Sequence, residues 1–396
     1  MSEQGPLLIC AEFFPPMLGG SPILSRNLWG EWPASDLVVI SRMDHRQQFD
    51  PKTELPNIRI HYILAWLSSL PRVRAALEPL MGIPVKWQII KLAKECKPRA
   101  IWVNWPGTGF LLGAWWASRK LRIPLYVHMH DMMDERRPSV KRILGWWAAG
   151  FYEKRILQGA ARVFAITDTA ADYFREKFGI DVYVLKHCIP DLDIEKIRLP
   201  GKRDIKNVIH FAGGIYPVMN LDAVVDLVKA LDLCQSGITL DGYTMYPAGY
   251  EALGIGGSRV SLRRASKAEV MAAQRESAIM FLPLAFQSPN PVEIRTVFPT
   301  KLLEYLVSGR PILVHAPADS WVSRAARRDG WGEVVDTPDP KQLANAIDAL
   351  LNDEAKQKSL VAAAYREARN RLASTVSSEL QRELKGLEKR GKNRAV

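Results

Sequence analysis

Short apolar runs alternate with longer amphipathic segments along almost the entire chain, and this alternation restricts the fold more than any other property. In the first half the runs are LLICA, DLVVIS, RAIWVNW, PLYVHMH, RVFAIT and DVYVLK. Continuous apolar runs of this length read as strands buried on both faces, and helical segments between them imply a parallel sheet wound with helices. The segments 72–96 (RVRAALEPLMGIPVKWQIIKLAKEC) and DTAADYFREKFG supply such helices, the second with Asp168 or Thr169 as a cap and Gly179 as its stop. The pattern breaks at 188–204, a polar stretch with two prolines, and then restarts. NVIHFAG, ITLDGY, RVSLRR, AIMFLPL, PILVHAP and GEVVDT read as strands, and LDAVVDLVKALDL, KAEVMAAQRES, PTKLLEYLVSG and PKQLANAIDALLND as helices. The expected architecture is two doubly wound α/β units, with the last forty residues helical and ending in a basic tail.

A chain of 396 residues is too long for one core, in agreement with two units. The four cysteines, Cys10, Cys96, Cys188 and Cys234, are widely spaced, which argues against a zinc site or a disulfide framework and fits a reducing compartment. MSEQGPLLICAEFFPP lacks the charged and apolar regions of a signal peptide, and no apolar run is long enough to span a bilayer. The expected location is the cytoplasm.

Ligands of open α/β sheets bind beyond the carboxyl ends of the strands, so the chemistry is sought in post-strand loops. Gly19 and Gly20 follow the first strand. They either let backbone amides approach an anion at a helix start or simply make a turn. His128 and His130 alternate along one strand, and His130-Asp131 sits where it ends; such a histidine either serves a substrate hydroxyl or phosphate or is a satisfied core residue. Gly213 and Gly214 repeat the glycine pair in the second unit. Leu262 and Arg263 end a strand whose backbone can pair with a nucleobase edge. The stretch VFPTKLLEYLVSGRPILVH places Thr300 and Lys301 in a first helical turn, which suits phosphate, and Glu304 one turn on, which suits a ribose diol. The alternative is an ordinary amphipathic helix with Glu304 at its solvent edge.

Taken together, FFPPMLGG, VHMHD, HFAGGIYPVMNLDAVVDLVKAL and FPTKLLEYLVSGRPILV resemble the GT-B glycosyltransferases, and within them the family-4 retaining enzymes. The resemblance implies two Rossmann-like domains facing across a cleft: an acceptor-binding domain over 1–190, a linker over 191–204, a nucleotide-sugar domain over 205–375, and a helix with basic tail over 376–396. It implies a sugar transferred from a nucleotide-diphosphate sugar to an acceptor hydroxyl with retention, with no metal or other cofactor. It assigns His130 and Glu304 as catalytic, Glu304 on the donor ribose and His130 beside the transferred sugar. Gly19, Gly20, Gly213, Gly214, Leu262, Arg263, Thr296, Phe298, Thr300 and Lys301 complete the donor site. Two departures stand out. Thr296 occupies the place of the family's first glutamate, with Glu293 as the nearest substitute. Gly214 and Met219-Asn220 stand where the family carries a basic pair, leaving Lys301, with Arg295, to supply charge. A 2-epimerase-like sugar-nucleotide enzyme and a non-catalytic nucleotide-sugar binder are the alternatives.

The net charge of +12 is concentrated: residues 60–165 hold 17 Lys+Arg against 6 Asp+Glu, and ten of the twelve tryptophans precede residue 150. Segment 136–157 and VKWQIIKLAKECKPR mix basic and aromatic residues, which suits an anionic membrane surface and hence a lipid-linked or cell-surface glycan acceptor. A solvated basic face over core tryptophans is the simpler reading. No nucleic-acid recognition motif is present.

Overall fold

The computed structural model describes residues 5–17, 20–43, 54–55, 57–64, 78–132, 152–197 and 201–394. The chain divides into two compact units, Met1–Pro190 with Ala373–Val396, and Asp191–Leu372.

The first unit contains β1 (Leu7–Ala11), β2 (Leu37–Met43), β3 (Arg59–Leu64), β4 (Ala100–Trp105), β5 (Leu125–Met129), β6 (Arg162–Ala165) and β7 (Val182–Val184). They form one parallel sheet in the order β3-β2-β1-β4-β5-β6-β7. Every residue of β1 and β4 is buried, as a central parallel strand covered on both faces requires. All six apolar runs read from this half are strands. The seventh, β3, was not anticipated. Among the described residues it is an edge strand paired only with β2, and its RIHYIL sequence exposes Arg59 and Tyr62 and buries Ile63 instead of running apolar throughout.

The helix Asp168–Phe178 is capped by Thr167, one residue ahead of the expected Asp168 or Thr169. Thr167 Oγ1 accepts from Ala170 N at 3.0 Å, while the Asp168 carboxylate accepts from the adjacent Thr169 N. Gly179 ends it in the left-handed region at φ 64°. Within the expected helix over 72–96, the described helix runs Gly82–Cys96 after a 3₁₀ turn at Glu78–Met81, with Pro84 tolerated in its first turn. Residues 72–77 lie outside the described residues.

The terminal helix Ala373–Arg394 adds to the first unit. Val376, Leu380 and Leu384 join Leu7, Ile9, Leu28 and Trp102 in its core. Ala373 N donates to Ile189 O at 2.8 Å, and Glu383 and Glu388 pair with Arg162 and Arg99 at 2.6 and 3.2 Å.

The second unit is a six-stranded parallel sheet in the order β10-β9-β8-β11-β12-β13. Its strands are β8 (Lys206–Ala212), β9 (Thr239–Tyr243), β10 (Val260–Arg263), β11 (Ser277–Pro283), β12 (Ile312–His315) and β13 (Gly332–Val335). Helix Leu221–Leu233 lays Val224, Leu227 and Leu231 against Ile209, Phe211 and Ile279, and helix Pro340–Asn352 adds Leu343 and Ile347. In PTKLLEYLVSG only Leu302–Tyr305 is helical; the rest is turn.

In the first unit, helices Gly82–Cys96 and Thr108–Leu121 cross at a contact made by glycines. A Cβ on Gly113 would lie 2.6 Å from Val85 Cβ, one on Gly109 2.6 Å from Met81 Cβ, and one on Gly82 3.2 Å from Gly109 O. Gly113→Ala is therefore expected to destabilise this unit by about 2 kcal/mol through overpacking, more than the gain in helix propensity returns. Gly20→Ala, whose Cβ meets nothing within 4 Å, serves as the neutral control; thermal unfolding of both variants checks the contrast.

Candidate functional site

Because both sheets are parallel, each brings all its carboxyl ends to one edge, and the candidate residues collect there. In the second unit, β8 ends in Gly213 at φ 127°, a left-handed conformation that disfavours any side chain. Gly213 N donates to Tyr243 O at 2.8 Å, tying the turn to β9. A Cβ on Gly213 would lie 3.3 Å from Lys301 Nζ. The lysine thus reaches from its own loop to the β8 turn, where its ammonium stands 4.2 Å from the Phe211 ring centroid. Among the described residues Lys301 has no carboxylate partner. Burial lowers its ammonium to about 7.

Glu304 lies three residues on and is half-exposed. Gln274 Nε2 donates to it at 3.4 Å, and Lys267 Nζ is 3.9 Å away. The structure therefore brings Gly213, Lys301 and Glu304 to the same edge. The amides expected to face phosphate are otherwise engaged: Leu302, Leu303 and Glu304 N donate to Pro299, Thr300 and Lys301 O at 2.9, 3.2 and 3.1 Å. A four-residue helix also has little dipole, so the lysine side chain supplies the charge. Thr300 is exposed beside it.

The remaining second-unit candidates are engaged in local contacts. Thr296 is buried, and its hydroxyl donates to Val292 O at 2.7 Å, inside its own helix. Phe298 is buried against Trp321 with the Arg371 guanidinium 4.7 Å from its ring centroid. Gly214 lies under the Tyr216 phenol, which a Cβ would meet at 2.3 Å. Asn220, where a basic residue was expected, clasps this loop: its Oδ1 accepts from Tyr216 N at 2.8 Å and its Nδ2 donates to Gly214 O at 3.1 Å. Arg263 stacks over Tyr243 with its guanidinium 4.8 Å from the ring centroid and donates to Asp241 at 2.6 Å and to the Tyr243 hydroxyl. Leu262 packs over Gly242, where a Cβ would lie 2.4 Å from it. Behind them His210 is fully buried against Tyr243, and burial, then Arg263 and Lys301, lowers it to about 3.

In the first unit, β5 carries His128 and His130 on one face. His128 Nδ1 and His130 Nε2 are 3.1 Å apart, so one ring donates to the other. Among the described residues His128 Nε2 has no hydrogen-bond partner, and its ring meets Trp102 edge-on at 5.4 Å. His130 N donates to Trp105 O at 3.1 Å, which holds the strand end in place. His187, just after β7, lies 5.3 Å from His130 between ring centroids. Asn104, Ser25 and Lys186 complete a small pocket. Sequence reading missed His187 and Asn104; the signal was their position at strand ends on this same edge. At the neighbouring ends of β1 and β2, Glu12 and Arg42 form a buried ion pair under Gly107, whose φ is 145°. Gly20 opens helix Gly20–Trp29; Gly19 lies outside the described residues.

Burial lowers His130 to about 4 and His128 well below its ordinary value, so both are neutral near pH 7. The pocket therefore offers uncharged hydrogen-bonding nitrogens. Among the described residues no three of His, Cys, Asp and Glu form a metal-ligating group.

Residues 19–184 match the sequence profile of the glycosyl transferase 4-like domain. No curated protein sequence matches the chain. Among solved structures, Anabaena HepE in complex with UDP and glucose is similar over 97% of this chain and 100% of that one, at 17% identity and TM-score 0.68. The lipopolysaccharide outer core galactosyltransferase WaaB covers 96% of this chain and 99% of its own, at 16% identity and TM-score 0.65. Sucrose-phosphate synthase from Thermosynechococcus elongatus covers 97% and 99%, at 15% identity and TM-score 0.64. The protein thus has the GT-B fold, the class its two doubly wound units define. More narrowly, the match to the glycosyl transferase 4-like domain covers residues 19–184, within the first unit, in line with the resemblance read from the sequence.

His128, His130 and His210 share one consequence. Their folded values lie below the unfolded value of about 6.5, so the folded chain binds fewer protons than the unfolded chain from about pH 6.5 down to about 4 for His130. Their contribution is full above pH 6.5 and is lost as pH falls through this window. Thermal unfolding is expected to show it, and His130→Gln to flatten the dependence.

Proposed function

We propose that the protein is a glycosyltransferase that moves a sugar from a nucleoside-diphosphate sugar to an acceptor hydroxyl with retention of anomeric configuration. The observation that carries this reading is the unpaired Lys301 ammonium beside the Gly213 turn, with the Glu304 carboxylate one turn away. That arrangement suits a diphosphate and a ribose diol held together. UDP-glucose is the first donor to test, since HepE was solved in complex with it.

In the proposed reaction the bond from the anomeric carbon to the diphosphate breaks as the acceptor oxygen bonds to the same face of that carbon. The acceptor proton passes to the departing phosphate oxygen, so no protein base is consumed. Lys301 offsets the charge that develops on the leaving group. His130, neutral, orients the sugar through a hydrogen bond, and Glu304 holds the ribose. The first unit, with its glycosyl transferase 4-like domain, takes the acceptor. A lipid-linked or cell-surface glycan precursor on the cytoplasmic side is the acceptor class that its basic, aromatic composition favours.

Glu304→Ala is expected to lower kcat/KM about tenfold to a hundredfold through lost charge-assisted hydrogen bonds, and His130→Ala by about a hundredfold through misplacement of the sugar. Full activity in either variant overturns the assignment. Nuclear magnetic resonance of the fresh product reads its anomeric configuration, and an inverted product removes the retaining mechanism. A non-catalytic binder would bind UDP-sugars without turnover across a donor panel.

Lys301 gives an independent check. A bound diphosphate favours the ammonium and raises it from about 7, so UDP binding above pH 7 takes up a proton. Titration calorimetry at pH 8 in buffers of different ionisation enthalpy is expected to show uptake approaching one proton. Lys301→Arg, charged throughout, removes it; no uptake by the unaltered protein takes Lys301 off the diphosphate.

A further inference from the structure

The glycine-packed helix pair of the first unit carries a feature that donor chemistry does not use. On its outer side lies a groove of about 670 Å³ lined by Ile83, Lys86, Trp87, Trp115, Arg119 and Lys120. Trp87 is 57% exposed, with Ile83 at 49% and Leu80, in the preceding turn, at 47%. Four other tryptophans of this unit, Trp29, Trp32, Trp102 and Trp105, are buried, so core packing accounts for those and not for Trp87. Lys86 and Lys120 both approach the Trp87 ring, at 5.8 and 5.5 Å from its centroid, and Arg119 lies 5.7 Å from that of Trp115. Among the described residues none of these three cations has a carboxylate partner. The two helices carry one acidic residue between them, Glu95, and it pairs with Arg59.

We propose that this groove is a docking surface for an anionic phospholipid bilayer. An exposed tryptophan between lysines matches the headgroup boundary, where the ring body is buried and the cations meet lipid phosphates. Exposed Ile83 and Leu80 give the surface an aliphatic edge, which acyl chains accommodate and a nucleic-acid strand does not use. The helices pack closely where Gly109 and Gly113 receive the Met81 and Val85 side chains and Gly82 receives Trp116, so the surface is held in place and its ordering cost is already met. The sequence reading also placed a basic aromatic surface on 136–157, most of which lies outside the described residues; the groove stands without it. It also stands on its own geometry, independently of the transferase reading.

Flotation with phosphatidylcholine vesicles, with and without phosphatidylglycerol, at low and high salt, tests it. The protein is expected to float with phosphatidylglycerol vesicles at low salt and to be released by high salt. Trp87→Ala with Ile83→Ala, both at exposed sites, is expected to weaken binding at least about tenfold by removing the inserted apolar groups. Lys86→Glu with Lys120→Glu is expected to abolish binding. Unaltered protein that ignores anionic vesicles, or variants that bind as it does, overturn the proposal. Binding of single-stranded oligodeoxynucleotide in place of vesicles overturns it in favour of nucleic acid. The UDP-induced shift in melting temperature, read in the same variants, separates the two readings: vesicle binding without UDP binding sinks the transferase and leaves the docking surface, and the reverse sinks the docking surface alone.

Discussion

Parallel strand pairing is the constraint on which everything else depends. It forces each strand to leave the sheet at the same edge and each return path to cross a face, so both faces are buried and one edge collects all the loops. Gly213, Arg263 and the His315 end of β12 share an edge for this reason, as do Glu12, Asn104 and His130 in the other unit. Side chains distant in sequence become neighbours without any local signal linking them.

Within that frame one contact organises the second unit's edge. Lys301 can stand beside the β8 turn only because residue 213 lacks a side chain and accepts φ 127°. Its ammonium is held against Phe211 with no carboxylate among the described residues to neutralise it, an arrangement that is costly in an empty site and favourable once an anion arrives. The two departures from the family pattern have local explanations. Asn220 closes the loop in which the resemblance implied charge, and Thr296 satisfies its hydroxyl within its own helix.

The fold was legible because continuous apolar runs have one economical explanation, a strand covered on both faces. Where burial is one-sided the signal weakens, and β3, an edge strand carrying Arg59, His61 and Tyr62, passed unnoticed. The candidates Lys301 and Glu304 were legible through a motif. The helix that should have held them was not, because Leu302–Tyr305 spends its first amides on 3₁₀ bonds that periodicity does not register. His187 and Asn104 were hidden for a different reason. Each is unremarkable in its own segment and gains meaning only from the neighbour that strand order supplies.

The terminal helix carries a consequence of its own. Residues 373–394 complete a core whose other members begin at Leu7, while the second unit is one continuous stretch between them. On the ribosome, where chains usually fold from the N-terminus, the order is therefore reversed. The second unit has its whole sequence available first. The first unit, made earliest, waits with the apolar patch meant for Val376, Leu380 and Leu384 uncovered, and an uncovered apolar patch of that kind is what makes a partly folded chain prone to aggregate.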